Sequence, residues 1–385
     1  MRVVHLRKFF LPLSETFIYD RLQALVECGI DTHVVTPERK NEELYPFDSV
    51  HEVQWPSPFH PSTLFDRARR TFSTREIKPS TWTFFRARLK EKIRTLNPDV
   101  LHAHFGEEGV WIAPVATSLD IPLVVSFYGW TLSALVERPF WRKRYRDVLW
   151  PAVDAVLFLS RDMENDARRL GFEGEGHVVH LGRDLEEFPY RPPQNAVREL
   201  VSVGRLVPKK GHEDAIRAVE QIAETGRDVH LRIIGDGSLR GELREYVRGN
   251  RLQDVVEIAG VMPSDEIPHE LQRADAFLLC SKVAANGDKE GTPTVLVEAQ
   301  ATGLPCVSTR HSGIPEMIPE PNHRFLAPEG NVEAIRGCLE RVMDASLQEL
   351  RQVSRAGRDH VEENFNVKQE AREIAEIYRR VCTEK

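Results

Sequence analysis

Short apolar runs rich in valine, isoleucine and leucine alternate along this chain with longer stretches of helical periodicity. Several runs are apolar at nearly every position, as in parallel strands that are buried on both faces. The intervening stretches, such as ETFIYDRLQALVECG, have helical spacing and end at a glycine. This alternation predicts an α/β fold of doubly wound sheets. The predicted strands are VVHL near residue 3, THVVT at 32, DVLHAH at 99, PLVVSF at 122, DAVLFLS at 154, ELVSVG at 199, VHLRIIG at 229, VVEIAG at 255, DAFLLC at 275 and LPCVST at 304.

The strand–helix pattern restarts once, which indicates two domains. A polar, proline-bearing stretch, HLGRDLEEFPYRPPQNAVREL, precedes the restart, and a chain of 385 residues has room for two domains of ordinary size. We expect a Rossmann-like domain over 1–185, a second Rossmann-like domain over 186–365, and a helix over 366–385 that packs back on the first domain. Two such domains are expected to face each other across a cleft at the carboxyl ends of their strands, where open α/β folds bind ligands.

Composition and charge exclude several classes of protein. No window reaches the apolar run of about 18 residues that a membrane span needs. The apolar stretch at the N-terminus, MRVVHLRKFF, is interrupted by Arg7 and Lys8, which is unlike a secretory signal and suits a first strand. The net charge of −7 argues against a nucleic-acid binder. The five cysteines are odd in number and form no metal-binding pattern, so we expect reduced thiols in a cytoplasmic protein. They are Cys28, Cys280, Cys306, Cys338 and Cys382.

Two segments combine basic and aromatic residues. Residues 61–96 carry ten lysines and arginines together with Trp82, Phe84 and Phe85, and residues 138–146 read RPFWRKRYR. Such a composition suits docking on an anionic membrane surface, which would place the protein peripherally on the inner face of the membrane. The alternative is a solvated helix whose aromatic face packs into the core.

Two glycine-containing turns after predicted strands suggest contacts with a phosphate ligand. In SVGRLVPKKG, residues 202–211, Arg205 and Lys210 follow the strand and would offset the negative charge of a diphosphate, although taken alone they are equally typical of a surface. In IIGDGSLR, residues 233–240, Gly235 and Gly237 permit close backbone approach to a ligand. The pair lacks the full dinucleotide fingerprint and is also typical of a plain strand–helix turn.

The segment KEGTPTVLVEAQATGLPCVST, residues 289–309, predicts a helix that begins at a ligand site. Thr292 suits an N-cap and Pro293 the first helical position. The N–H groups near Thr294 and Val295 would then be free to bind an anion.

Two carboxylates flank this predicted helix start. Glu290 precedes the helix and Glu298 lies about two turns along it. Ionised carboxylates accept hydrogen bonds from paired hydroxyl groups, so the two could bind a sugar and a ribose. HSGIPEMI, residues 311–318, predicts a turn whose backbone could line the same site, or a plain connector.

Together these motifs resemble the GT4 family of retaining glycosyltransferases with the GT-B fold, over nearly the whole chain. The resemblance is most specific in GRLVPKKG, EGTPTVLVE and GLPCVST. The run ANGDKEGTPTVLVEAQATGLP, with SETFI, HAHFG and SFYG, is similar to the bacterial exopolysaccharide and colanic-acid-type branch. The resemblance implies a metal-independent transfer of a hexosyl unit from a nucleoside diphosphate sugar, with a UDP-sugar favoured, and no cofactor.

The resemblance also implies the donor contacts. Arg205 and Lys210 would hold the diphosphate, Glu298 the ribose and Glu290 the donor sugar, while backbone after a strand grips the base. The implied donor-binding residues are Arg205, Lys210, Gly235, Gly237, Val261, Met262, Glu290, Gly291, Thr292, Pro293, Thr294, Val295 and Glu298. Glu290, Arg205, Lys210 and His104 are the candidate catalytic residues.

The first domain is expected to bind the acceptor, a glycan or lipid-linked glycan. His102 and His104 fall on the same face of their strand, and His104 either faces the ligand or is a structural histidine. Tyr128 stands where many relatives carry a histidine, which suggests that it replaces that residue. The expected acceptor-side residues are Ser14, Glu15, Thr16, His104, Tyr128 and Gly129.

Retention of configuration by double displacement needs a carboxylate beside the anomeric carbon, and the sequence offers no clear candidate. The resemblance instead implies a same-face substitution in which the leaving phosphate takes the acceptor proton. Two alternatives stay open. One is a sugar phosphorylase or nucleotide-sugar epimerase of the same architecture, and the other is a non-catalytic nucleotide-sugar-binding subunit.

Overall fold

The computed structural model describes residues 1–12, 16–55 and 79–384, with the backbone alone for 79–84. Two predictions made from the sequence fall outside this range. They concern the acceptor residues Ser14 and Glu15, and the basic residues that lie between 61 and 78.

The chain divides into two compact units. Unit 1 comprises Met1–Val179 and Val367–Lys385, and unit 2 comprises His180–Asn366. The described helices of unit 1 are α1 Thr16–Glu27, α2 Pro79–Leu96, α3 Gly106–Leu119, α4 Pro139–Arg144 and α5 Arg161–Arg169. Those of unit 2 are α6 His212–Ala223, α7 Arg240–Gly249, α8 Ile267–Arg273, α9 Thr294–Thr302, α10 Ile314–Met317, α11 Val332–Met343 and α12 Leu347–Asn364. The last helix, α13 Val367–Thr383, belongs to unit 1. None of the described helices is long and apolar enough to cross a membrane.

Unit 1 is built on a seven-stranded parallel sheet with the order β3-β2-β1-β4-β5-β6-β7. Its strands are β1 Arg2–Leu6, β2 Asp31–Thr36, β3 Val50–Glu52, β4 Val100–His104, β5 Leu123–Ser126, β6 Ala155–Phe158 and β7 Gly176–Val178. The strand order reverses between β1 and β4, where His5 pairs in register with His102. In doubly wound sheets, ligands bind at the carboxyl edge beside this reversal.

Helix α13 completes the core of unit 1 beside α1. Its Ile374 and Tyr378 are fully buried in one apolar cluster with Val3 and Val100 of the sheet. A buried ion pair also joins the two helices, since Arg21 Nε donates to Glu370 Oε1 at 2.7 Å. The end of the chain is therefore a structural part of unit 1.

Unit 2 is built on a six-stranded parallel sheet with the order β10-β9-β8-β11-β12-β13. Its strands are β8 Glu199–Val203, β9 His230–Ile234, β10 Val256–Gly260, β11 Ala276–Leu279, β12 Cys306–Thr309 and β13 Leu326–Ala327. Leu200 and Leu278 enter one apolar cluster, while their neighbours Val201 and Phe277 enter a second. Successive side chains of a strand point to opposite faces, so helices cover both faces of the sheet. This explains why the predicted strands are apolar at nearly every position.

Three described strands were not predicted, namely β3, β7 and β13. Each lies at an edge of its sheet and pairs with a single neighbour. They span three, three and two residues, with the sequences VHE, GHV and LA. A short strand with one partner needs no continuous apolar run, which is why periodicity did not reveal these three.

Candidate functional site

The strand order of unit 2 reverses between β8 and β11, and the predicted motifs lie on the loops at this carboxyl edge. Gly235 and Gly237 serve the packing of the first two loops. A Cβ on Gly235 would lie 2.0 Å from the carbonyl oxygen of Gly204, and one on Gly237 would lie 2.5 Å from that of Leu206. Both glycines therefore let the loop after β9 approach the loop that carries Arg205 and Lys210.

A cluster of buried charges lies where the loops after β8 and β11 meet. Lys210 Nζ is 2.5 Å from Glu290 Oε2, and Lys209 Nζ is 3.7 Å from Glu290 Oε1. Lys209 also donates to Asp288 Oδ1 at 3.1 Å and to the carbonyl oxygen of Lys289 at 3.2 Å. Burial by itself would raise the pKa of Glu290, but the charges of Lys210 and Lys209 lower it to about 2. Glu290 is therefore ionised at neutral pH.

Arg205 is exposed beside this cluster, and its charge also helps to lower the pKa of Glu290. A buried histidine holds its backbone, because His212 Nε2 donates to the Arg205 carbonyl oxygen at 3.3 Å. Burial and the charge of Lys210 lower the pKa of His212 to about 4, so the ring is neutral. Lys209 and His212 were not predicted as site residues, although Lys209 belongs to the PKKG motif and His212 follows it directly.

Helix α9 begins one residue later than the sequence suggested. Thr292 is not the N-cap, because Pro293 occupies that position with φ −71° and ψ 105°, and the helix starts at Thr294. The extended ψ places Pro293 outside the helix, and such one-residue differences are usual at helix ends. The first-turn N–H groups of Thr294 and Val295 still lack partners within the helix. The buried Thr292 hydroxyl has no hydrogen-bond partner among the described residues.

Glu298 lies further along α9 and pairs with an arginine that was not predicted. Arg183 Nε is 3.1 Å from Glu298 Oε1, and the two side chains are 12% and 13% exposed. Burial raises the pKa of Glu298, and the Arg183 charge partly offsets this. Arg183 belongs to the HLGRD stretch, which the sequence indicated only as a connection.

His311 makes a contact that the sequence did not reveal. Its Nε2 accepts a hydrogen bond from the backbone N–H of Glu290 at 3.0 Å, and its Nδ1 donates to Glu329 Oε2 at 2.5 Å. The prediction for HSGIPEMI concerned the backbone of a turn, whereas the segment contains the short helix α10 and contributes a side chain.

Val261 and Met262 follow β10, the strand at one edge of the same sheet. Val261 is 73% exposed, whereas Met262 is partly buried against an apolar cluster of unit 2. The carboxyl edge of unit 2 thus brings Arg205, Lys210 and Glu290 together, and places the 261–262 segment two strands from β8.

In unit 1, three buried histidines lie at the corresponding reversal between β1 and β4. His5 Nδ1 and His104 Nε2 are 3.0 Å apart. The rings of His102 and His104 stack with centroids 4.6 Å apart. Burial is the main reason that the pKa of each of the three lies below its usual value, so all are neutral.

These histidines form the group within the described residues whose nitrogens lie close enough, within 4.8 Å, to hold a metal ion. Their nitrogens are largely committed to hydrogen bonds. His102 bonds to Ser126 Oγ at 2.8 Å and to the Tyr378 hydroxyl, and His104 Nδ1 bonds to the Tyr128 hydroxyl at 2.7 Å. Stacked, nearly parallel rings also do not direct their lone pairs to one point. The residues therefore fit a hydrogen-bonded network better than a metal site.

The hydrogen bonds of this network begin at Arg21. Arg21 donates to the hydroxyls of Tyr128 and Ser126, since a guanidinium can only donate. The Tyr128 hydroxyl also bonds to His104 Nδ1, and His104 Nε2 bonds to His5 Nδ1. Both ring nitrogens of His104 are therefore engaged within unit 1. His104 is 0% exposed, which differs from the expectation of a histidine that faces a ligand.

The remaining acceptor-side predictions concern the carboxyl edge of the same unit. The Tyr128 ring is half-buried and lies against Phe17 and Phe105, with centroids at 5.0 and 4.7 Å. Gly129 is buried at φ 85°, and Thr16 begins helix α1. Neither Arg21 nor Glu370 was predicted, since they are 349 residues apart in the sequence.

Family comparisons match both halves of the chain. The family described as "Glycosyl transferases group 1" matches residues 186–360, and "Glycosyltransferase Family 4" matches residues 14–187. The chain is 35% identical to WcaL of Escherichia coli (strain K12), named for colanic acid biosynthesis, over 96% of this chain and 98% of that protein. It is 34% identical to the amylovoran biosynthesis glycosyltransferase AmsK of Erwinia amylovora, over 99% and 100%.

Solved structures share the arrangement of two parallel-sheet domains. Anabaena Alr3699/HepE in complex with UDP superposes with a TM-score of 0.78 at 16% identity, over 98% of this chain and 99% of that one. The same protein in complex with UDP-glucose superposes with a TM-score of 0.74 at 18% identity, over 98% and 99%.

Proposed function

The chain belongs to the family 4, group 1 glycosyltransferases, and we propose that it transfers a hexosyl unit from a nucleoside diphosphate sugar to a hydroxyl of a glycan or lipid-linked glycan. In this proposal the donor is a UDP-sugar, the reaction retains the anomeric configuration, no metal ion takes part, and the product belongs to polysaccharide biosynthesis. Unit 2 binds the donor and unit 1 binds the acceptor.

The charge cluster of unit 2 is the observation that carries the proposal. Three cations (Arg205, Lys209, Lys210) and two carboxylates (Asp288, Glu290) lie together, so three minus two leaves one net positive charge. The N-terminus of α9 adds a partial positive charge of about half an elementary unit. A site with this excess at the carboxyl edge of a sheet favours an anionic ligand such as a diphosphate.

The neighbouring groups suit the other parts of a nucleotide sugar. Glu290 and Glu298 offer carboxylate oxygens to the hydroxyls of the sugar and the ribose. The Thr292 hydroxyl, buried and without a partner among the described residues, offers a further polar contact. The backbone at Val261 and Met262, directly after β10, would receive the base. UDP is the favoured nucleotide because the fold neighbour from Anabaena was solved with UDP and with UDP-glucose.

The protonation states favour a same-face substitution. A carboxylate with a pKa of about 2, held by two lysines, is a weak base and a weak nucleophile, so Glu290 is unsuited to a covalent intermediate. In the proposed step the bond from the anomeric carbon to the diphosphate oxygen breaks, and the acceptor oxygen bonds to that carbon on the same face. The acceptor proton passes to the departing phosphate oxygen. Arg205, Lys210 and α9 stabilise the charge that grows there.

On the acceptor side, the network gives His104 an indirect role. Because His104 is buried and bonded to the Tyr128 hydroxyl, it acts as a positioning residue for Tyr128. The half-buried ring of Tyr128 and Thr16 at the start of α1 are then the described groups that would contact the acceptor. The buried Gly129 supports them by its positive φ in the turn after Tyr128. Ser14 and Glu15 remain predictions from the sequence.

We also propose that α4 docks the protein on the cytoplasmic face of an anionic membrane. Trp141 of this segment is buried, which fits the packing interpretation, but Arg142, Lys143 and Arg144 are all exposed. A row of exposed cations favours an anionic lipid surface. The five cysteines, all within the described residues, are free thiols, which suits a reducing compartment.

A panel of nucleotide sugars tests the proposed function. A ligand that binds only the folded chain raises its melting temperature, so at least one UDP-hexose should stabilise the protein. The stabilising donor is then incubated with glycan and lipid-linked acceptors, and NMR of the product reports the anomeric configuration. A panel of UDP-, GDP-, ADP- and dTDP-sugars in which no UDP-hexose stabilises the protein, or an inverted product, would rule out the proposal.

A further inference from the structure

The segment between β11 and α9, residues 280–293, carries Glu290 and is here named the donor loop. Fourteen residues of irregular chain need contacts with their surroundings to hold one conformation. Within the loop, the backbone N–H of Ala284 donates to the Asp288 carbonyl oxygen at 3.0 Å, and that of Gly287 donates to the Ala284 carbonyl oxygen at 2.8 Å. Lys209 holds the stretch at Asp288 and Lys289, as described above. These contacts leave the backbone of Glu290 itself to be fixed by another group.

His311 supplies that contact. The ring is 2% exposed and accepts the backbone N–H of Glu290 at its Nε2. Since a backbone N–H can only donate, Nε2 must carry a lone pair, and the proton of the neutral ring therefore resides on Nδ1. Nδ1–H faces the carboxylate of Glu329 at 2.5 Å, which stabilises this tautomer. The two hydrogen bonds thus define the orientation of the ring.

Glu329 holds the donor loop at a second point. The backbone N–H of Val283 donates to Glu329 Oε2 at 3.3 Å. One carboxylate, on the segment that follows β13, therefore contacts the start of the loop directly and its end through His311. Three charged side chains of the loop pair with other residues, since Glu290 pairs with Lys210, Asp288 with Lys209 and Lys282 with Asp214.

We infer that His311, oriented by Glu329, is a positioning residue that holds Glu290 where its carboxylate receives the donor sugar. The inference rests on the proposed function, because it takes Glu290 as a sugar contact. The diphosphate is assigned to Arg205, Lys210 and α9, none of which bonds to His311. Loss of His311 therefore weakens binding of the sugar part more than binding of the nucleotide part.

Replacing His311 by leucine tests this division of roles. The leucine variant leaves the N–H of Glu290 without its acceptor. A buried unsatisfied donor of this kind makes the binding-competent position of Glu290 less populated, by roughly tenfold or more. We expect the KM for UDP-glucose, or for the panel sugar that stabilises the wild type most, to rise about tenfold. The Kd for UDP alone should change less than about threefold.

Three further variants keep the test specific. His311→Gln places an amide oxygen near the Nε2 position and should restore most of the donor KM. Glu329→Ala, at an exposed position that tolerates truncation, should reproduce the leucine phenotype, and it therefore replaces the leucine variant in the test if that variant folds poorly. Glu329→Gln should stay near wild type. His323→Leu removes a histidine of unit 2 whose Nε2 bonds only to the carbonyl oxygens of Pro315 and Ile318 in the described structure. This control should leave the donor KM unchanged.

The outcomes separate the inference from the proposed function. A wild type that binds neither UDP nor any UDP-hexose overturns the proposed function, and the inference with it. A wild type that binds both, with His311→Leu and Glu329→Ala unchanged in donor KM, overturns the inference alone. The inference is also overturned if His311→Leu weakens binding of UDP and of the UDP-sugar equally, or if His311→Gln does not restore the donor KM. Either result would indicate that His311 has a general structural role.

Discussion

Replacing Lys210 by methionine removes the ammonium group that lies closest to Glu290 while keeping the length and most of the volume of the side chain. In the wild type, Nζ lies 2.5 Å from Glu290 Oε2, and the two side chains are each 11% exposed. Lys209, at 3.7 Å from the other carboxylate oxygen, still gives Glu290 a partner in the variant. The substitution therefore removes one ligand cation without leaving the carboxylate alone.

The expected loss follows from the geometry. A charge pair at about 4 Å interacts by about 4 kcal/mol at an effective dielectric constant of about 20. Arg205 and Lys209 remain and supply part of this interaction with the diphosphate. We therefore expect a net loss of about 3 kcal/mol of binding free energy, which raises the Kd for UDP about 150-fold. Isothermal titration calorimetry at about 0.15 M salt, where surface charges are screened beyond about 8 Å, measures this directly.

Arg232→Met is the control. Arg232 is a cation of the same unit whose Nε lies 2.7 Å from Glu270 Oε2. Glu270 keeps Arg273 as a second partner at 3.3 Å, and this pair lies outside the proposed donor site. We expect this variant to bind UDP within about threefold of the wild type. The reasoning is refuted if the Lys210 variant, shown to be folded by circular dichroism, keeps the wild-type affinity for UDP, or if the Arg232 variant loses as much affinity.

Three other outcomes are expected. The pKa of Glu290 is lowered to about 2 from 4.5. The wild type should therefore be more stable than Glu290→Gln by about 3 kcal/mol above pH 4.5, and this difference should shrink as the pH falls toward 2. Denaturant unfolding at several pH values measures the difference, and a difference that is independent of pH contradicts the expectation. Tyr128→Phe leaves polar groups of Arg21 and His104 unsatisfied and should lower the free energy of unfolding by about 1–3 kcal/mol, whereas an unchanged value in urea unfolding would mean that the network is not stabilising. Replacing Arg142, Lys143 and Arg144 by alanine should weaken binding to phosphatidylserine vesicles by about 1 kcal/mol per charge in a sedimentation assay, and unchanged sedimentation would end the membrane proposal.

The class of fold could be predicted because strands buried on both faces must be apolar throughout. Leu200 and Val201 enter opposite apolar clusters, and this requirement is visible in ELVSVG. The edge strands β3, β7 and β13 carry no such requirement and were missed. Local sequence therefore reveals the centre of each sheet better than its edges.

The candidate site was only partly predictable. Arg205, Lys210 and Glu290 stand in recognisable motifs, and the structure brings them to one carboxyl edge. The prediction that Thr292 is the N-cap of α9 was wrong by one residue, because the N-cap is Pro293. Threonine and proline both suit a helix start, and only the extended ψ of Pro293 distinguishes the two positions.

Partners that depend on tertiary packing left no local signal. The contact of His311 with the backbone of Glu290 spans 21 residues, and that of Arg21 with Glu370 spans 349. A histidine in a turn and an arginine in an amphipathic helix are both ordinary in sequence. Lys209 is the exception, since it stands beside Lys210 in PKKG and could have been considered a second cation.

The central claim is that the charge cluster of unit 2 recognises a diphosphate. Calorimetric titration of the full chain with UDP and with uridine tests it most directly, because the two ligands share a base and a ribose and differ in the diphosphate alone. We predict that UDP binds at least about 100-fold more tightly than uridine and that added salt narrows the gap. Equal affinities for the two, or a gap that salt does not change, would contradict the claim.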